Sequence, residues 1–446
     1  MIQQQHTFPN QLKIIYEKSI SSIPLSSIHV FCQIGSVHEP PNLKGASHTI
    51  EHMCFKGTKK HPDADSVFGV SVGSEFNAYT EKLFTCYYMK CMDKNLHNCI
   101  NLLSDILFHS FFHSTDYEKE KNVVKEENIK DEDDIENILE EEGDLLLFGN
   151  HPYGQPVDAL KYHFKNSLPL KKVFEFYKKY YVPSNIIISI VSSLSFDTIL
   201  SFLEKSYFHR PSETSSPPPP IDSFVHKKGP SYKLVEKKTL TTYISIGFCI
   251  CPYDSCDKYS LEVFNTILSG GMNSFLFHVL REQNGLTYSS DVDITYFKNA
   301  GSFTIYTEES HDKIIKNGKK KGVLPLLIDT LCYFVKNGIT KKQLLDAKEI
   351  IQENRLRNLE DTDTIAEYNG IELILSTSDI IPYSELFSKK YKPITIENVN
   401  SVIRKYFSPE NMNVCLVGDH LPSLRQVQEI CSDFSISQKS LDIKTD

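Results

Sequence analysis

Apolar and polar positions along this chain alternate in two rhythms, and the same order of rhythms occurs twice. In the first half a strand-like apolar run over 28–35 leads through a loop into helical spacing that enters at Ser47. In the second half a similar run over 243–250 is followed by helical spacing over 258–268, which stops at Gly270-Gly271. Each half then carries a charged helical stretch and a further apolar strand, over 186–191 in the first and 413–417 in the second. Strands mixed with helices in two similar halves predict an α+β fold, each half a mainly antiparallel sheet flanked by helices. Between them stands Pro211-Ser-Glu-Thr-Ser-Ser-Pro217-Pro218-Pro219-Pro220. Four consecutive prolines join neither a helix nor a central strand and favour a stiff, extended connector. The expected division is therefore a first domain over 1–212, a linker over 213–222 and a second domain over 223–446.

The 446 residues are too many for one ordinary core, which agrees with two domains. With 48 basic and 57 acidic side chains the formal charge is −9. That argues against nucleic acid as the main partner and favours cationic ligands. Eleven scattered cysteines, with no secretory segment before them, read as reduced thiols. Cys249 and Cys251 fall in an apolar strand and read as core. No apolar run reaches the roughly 18 residues needed to span a bilayer. The opening Met-Ile-Gln-Gln-Gln-His resembles neither a signal peptide nor an Arg-rich presequence, so the expected compartment is the cytosol, with an organelle left open.

The sharpest chemical signal is Ser47-His48-Thr49-Ile50-Glu51-His52. Ser47 reads as the N-cap of a helix on which positions 48, 51 and 52 share one face. Two imidazoles one turn apart can both reach a zinc ion at about 2.0–2.1 Å. The carboxylate of Glu51 then lies beside the open metal position, where it can take a proton from water. A helix with two surface histidines is the bland alternative, and a third ligand on a separate helix decides between them. The stretch 116–142 reads as that helix, with Val123, Val124, Ile135, Ile138 and Leu139 as its apolar stripe. Glu127 falls on the stripe, where a charge without a partner is costly, and Glu120 lies two turns earlier on the same face. The other carboxylates there, among them Glu126 and 131–134, read as a solvated acidic face. His109 and His113 are also one turn apart but lack an intervening acid, and read as a helix end or core.

With Glu127 placed 75 positions after His52, within Gly45-Ala-Ser-His48 … Met53-Cys-Phe-Lys-Gly57-Thr58 and Glu120-Lys-Asn-Val-Val-Lys-Glu-Glu127, the chain resembles the M16 metallopeptidases. The resemblance implies one zinc ion per chain on His48, His52 and Glu127, Glu51 as general base and Glu120 as support. It also implies that Asn77, Ala78 and Tyr79, in Gly73-Ser-Glu-Phe-Asn-Ala-Tyr-Thr80, lie on an edge strand that takes the substrate in extended form. In the second half, Leu280-Arg281-Glu-Gln-Asn-Gly285-Leu286-Thr-Tyr288 matches a family signature. Its Arg281 is then expected to hold substrate backbone and Tyr288 to donate to an oxyanion. Gly270-Gly271-Met272-Asn-Ser-Phe275 departs from the pattern, with phenylalanine where relatives commonly carry arginine. A zinc-dependent endopeptidase acting on unfolded peptides, as a homodimer or heterodimer, is what the resemblance implies, and the net negative charge favours cationic ones. A non-catalytic subunit of a processing complex is the alternative.

Overall fold

The structure is a computed structural model that describes residues 3–70, 73–157, 168–211, 216–287 and 289–436. It contains two compact units. Unit 1 combines Met1–Lys130, Gln155–Asp222 and Arg355–Glu385, and unit 2 combines Asp131–Gly154, Ser223–Asn354 and Leu386–Asp446.

Unit 1 is built on a six-stranded sheet of β1 (Gln3–Thr7), β2 (Lys13–Lys18), β3 (Leu25–Cys32), β4 (Glu75–Thr80), β5 (Thr85–Met92) and β6 (Ile186–Ser192), in the order β1-β2-β6-β3-β5-β4. Only β2 and β6 run parallel. The period-two alternation sends Ile14, Tyr16, Ile28, Val30, Tyr87, Met89, Ile188 and Ile190 into one core. Ile50 of α1 (Ala46–Cys54) and Val67 of α2 (Ala64–Gly69) join that core, as do Leu103 and Leu107 of α3 (Leu96–His109).

Unit 2 repeats the plan. Its strands β7 (Ser231–Glu236), β8 (Thr242–Ile250), β9 (Ser290–Tyr296), β10 (Gly301–Glu309) and β13 (Met412–Gly418) follow the order β7-β13-β8-β10-β9. Again a single pair, β7 with β13, is parallel. Strand for strand this matches β2-β6-β3-β5-β4, so the duplication expected from the rhythm of the chain is present in the topology. The lysine-rich stretch forms a small exposed hairpin of β11 (Lys316–Asn317) and β12 (Lys320–Lys321).

The helical cover is less linear than the strands. The stretch 116–142 is not one helix: α4 (Ser114–Asp133) ends and α5 (Ile135–Phe148) begins afresh, with the Asp134 carboxylate accepting the Glu136 N–H as N-cap. Four successive acids, 131–134, repel one another along a helix, and an aspartate at its end gains more as a cap. Further on come α6 (Leu170–Tyr180), α7 (Phe196–Glu204), α8 (Lys258–Ser269), α9 (Val323–Asn337), α10 (Lys341–Asn358) and α11 (Thr362–Leu375). Helix α5 belongs to unit 2, where Leu139 packs on Cys415 and Val417 of β13. Helix α11, late in the sequence, belongs to unit 1 and covers the second face of its sheet, with Ile365 and Ala366 against Val191. A linear division at 213–222 assigns both segments differently, to 1–212 and 223–446. The contact is largely polar: Ser27 meets Thr362 at 2.8 Å, His29 meets Asp363 at 2.8 Å and Asn369 donates to the buried Glu17 at 3.0 Å. The face mixes Ser27, His29 and Glu17 with Phe31 and Val191, so polar positions interrupt the apolar signal by which a covering helix could be found. Glycine is required at the closest approach, because a Cβ on Gly370 would lie 2.0 Å from the Phe31 ring.

Candidate metal centre

The site grows from α1. Ser47 is not its cap; the N-cap is Gly45, whose φ of 83° glycine adopts without strain, and it has no side chain to offer. The buried carboxylate of Glu39 supplies the missing acceptor from a separate loop, taking the Gly45 N–H at 2.7 Å and the Ser47 N–H at 2.6 Å. Burial pushes the Glu39 carboxyl up to about 7, against the opposing pull of these N–H donors and of Lys44. At the far end of the helix Ser110 donates to the Cys54 carbonyl at 3.0 Å, and the Phe111 N–H to the Gly57 carbonyl at 2.9 Å. The helix is thus clamped at both ends. Cys54 itself is buried, which raises its thiol to about 12, and it is not among the donors that converge at the site.

Within that frame the helical spacing brings the Nε2 atoms of His48 and His52 to 3.1 Å. Glu127 reaches from α4 to place Oε2 3.5 Å from His52 Nε2, and donor atoms of all three residues lie within 4.8 Å of one another. Glu120 lies 3.1 Å from His52 Nδ1 through one oxygen, and its other oxygen pairs with Lys56 at 2.7 Å. A hydrogen on Nδ1 shared with Glu120 leaves Nε2 of His52 with its lone pair turned toward His48 and Glu127. Such a convergence calls for a cation between the donors. The separations of 3.1 and 3.5 Å are close to the edge of a tetrahedron, about 3.3 Å, for bonds of about 2.0–2.1 Å. The donor set therefore fits zinc.

The reason given by the sequence for Glu127 does not hold. Val123 is 42% exposed and the Glu127 side chain 45%, so this face of α4 is no buried stripe. Glu127 is brought to the site by the direction of α4, and Glu120 is the carboxylate that is buried. Asn77, Ala78 and Tyr79 lie on β4, an edge strand of the sheet among the described residues. Arg281 lies in unit 2 in the helical turn Phe277–Glu282, its guanidinium 5.1 Å from the Phe277 ring. Tyr288 falls outside the described residues. His109 bonds to Asp105 at 3.1 Å and His113 lies beside Phe111, so that pair forms no second centre. Among the described residues, His48, His52 and Glu127 are the metal-ligating group that comes together.

Four contributors escaped the sequence. Glu39 and Lys56 are described above. Thr80, the last residue of β4, donates to Glu51 Oε2 at 2.5 Å. In unit 2, Glu309 accepts the Thr287 N–H at 2.6 Å. Lys56, one turn beyond His52, was within reach of a helical-spacing argument; the other three are contacts between distant segments with no periodic signature.

The comparisons with known proteins agree with this geometry. A family profile described as Insulinase (Peptidase family M16) matches residues 14–158, and one described as Peptidase M16 inactive domain matches 167–351. The chain belongs to the M16 peptidase family. The first profile spans the His48–Glu127 cluster of this M16 chain. The second spans α8, which occupies in unit 2 the topological place of α1 and carries no histidine. The uncharacterized zinc protease YmxG of Bacillus subtilis is 29% identical over 412 residues, covering 91% of this chain and 96% of that protein. Among solved structures, a protease from Helicobacter pylori superposes with a TM-score of 0.84 at 18% identity, over 93% of this chain and 99% of its own. The periplasmic protease PqqL of Escherichia coli aligns with a TM-score of 0.75 at 14% identity, over all of this M16 chain but only 52% of PqqL.

Proposed function

We propose that this M16 chain is a zinc-dependent endopeptidase acting on extended, unfolded peptides. The observation that carries the reading is the convergence of His48, His52 and Glu127, with Glu51 on the same helix face and its carboxylate held in place. His48, His52 and Glu127 would hold one zinc ion. Zinc there supplies Lewis-acid polarisation of the scissile carbonyl and a water acidified to a pKa of about 7. Glu51 takes the proton of the attacking water as the new C–O bond forms, and delivers it to the leaving nitrogen as the C–N bond breaks. Glu120 orients His52, and Lys56 holds Glu120 in place. Edge strand β4, with Asn77, Ala78 and Tyr79 along it, is assigned to pairing with a peptide in extended form, once the Asn77 side chain releases the Ala78 N–H. Arg281 and Tyr288 are assigned to substrate backbone and oxyanion on the signature they share with the family. The net charge of −9 favours cationic peptides. That the chain spans only 52% of PqqL supports pairing of two copies, or of two related chains.

Cleavage of a mixed pool of unfolded peptides by wild type and Glu51→Gln, with zinc content measured in parallel, tests the reading. Cleavage that disappears in the variant while zinc stays bound supports it. Zinc bound without cleavage by either protein favours the non-catalytic subunit.

A further inference from the structure

We propose that Thr80 is a positioning residue for Glu51: its hydroxyl fixes the carboxylate from the end of edge strand β4. The inference rests on the reading of Glu51 as the general base. Thr80 Oγ1 donates to Glu51 Oε2 at 2.5 Å, and a Thr85 oxygen on the adjacent strand lies 3.5 Å from the same hydroxyl. Thr80 is paired with Thr85 in the β4–β5 register, and its parity along β4 matches Phe76 and Ala78, which pack on the core that contains α1. Its neighbour Tyr79 points to the opposite face and donates to Glu367 of α11 at 2.7 Å. The end of β4 is thus tied on one side to α11 and on the other to Glu51.

A glutamate has three side-chain torsions, and its carboxylate could swing away from the position a base must hold. A charge-assisted bond from a hydroxyl on a sheet strand removes that freedom.

Three full-length variants test this with fluorescein-labelled β-casein, an unfolded protein, as probe. Thr80→Val keeps the shape and removes the hydroxyl; Thr80→Ser keeps the hydroxyl; Glu51→Gln removes the base. Loss of one hydrogen bond to a charged group predicts a kcat about tenfold lower or more in Thr80→Val, with KM within about twofold. Thr80→Ser should recover most of that loss. Zinc content and melting temperature of Thr80→Val should match wild type, and casein should bind Glu51→Gln and Thr80→Val/Glu51→Gln with the same affinity. Wild-type kcat in Thr80→Val, or a Thr80→Ser as slow as Thr80→Val, overturns the inference while an inactive Glu51→Gln keeps the peptidase reading. Wild-type protein that leaves casein intact overturns both.

Discussion

Glu120 faces the Nδ1 edge of His52 at 3.1 Å, and the ring nitrogen on the opposite edge of that imidazole is the one that meets His48. The relationship makes Glu120 a determinant of how His52 presents its lone pair. Glu120→Ala should weaken zinc binding by roughly 10–100-fold. Competition with a chromogenic chelator measures it, and an unchanged affinity would remove Glu120 from the site.

Glu39 caps α1 through two N–H groups that no N-cap side chain serves. Glu39→Ala should therefore destabilise unit 1 by about 1–2 kcal/mol, the range of a lost helix cap. For a unit near 200 residues that corresponds to a melting temperature roughly 2–8 °C lower. Thermal unfolding at pH 6, below the raised carboxyl value of about 7, where the carboxyl accepts both N–H groups without a buried charge, is the measurement. Glu39→Gln, which keeps an acceptor, should lose less.

Gly370 tests the covering of the unit 1 sheet by α11. Glycine to alanine in an exposed helix gains up to about 1 kcal/mol. Here the added Cβ meets the Phe31 ring at 2.0 Å, so Gly370→Ala should instead cost about 1–3 kcal/mol. Adding Phe31→Leu should return part of the loss in denaturant titration. A stabilised Gly370→Ala would mean that α11 does not pack there.

Glu309 gives the pH dependence. Burial raises its carboxyl, but the N–H groups of Ser310 and Thr287 and the charge of Lys313 outweigh that and hold it below its ordinary 4.5. A depressed folded value means that the unfolded chain binds the proton more readily. The stabilisation is therefore complete above 4.5 and is lost as pH falls through the folded value. Glu309→Gln should lower the melting temperature at neutral pH and should show a shallower decline than wild type below 4.5. Parallel curves for the two proteins would exclude this role.

Much of the site was legible because it is local. His48, Glu51 and His52 share a face by the 3.6-residue turn, and no tertiary contact is needed to see it. The strands were legible for the same reason: 243–250 and 186–191 correspond to Thr242–Ile250 and Ile186–Ser192. The argument for Glu127 from a buried stripe was not sound, since Val123 and Glu127 are both substantially exposed. The resemblance to the family pointed to Glu127, which lies with His48 and His52 in the structure, on grounds that periodicity did not supply.

What the sequence by itself determined is whatever depends on neighbours along the chain: two rounds of strands and helices, and three functional side chains on one helical turn. Tertiary structure decided which helix covers which sheet, with α5 placed in unit 2 and α11 in unit 1. It also decided that Glu39 rather than Ser47 caps the motif helix, and that Thr80 holds Glu51. Those choices rest on packing and polar contacts between residues that are not neighbours within one helix or strand. Such contacts are selected by burial and hydrogen-bond geometry, and they leave no period in the order of residues.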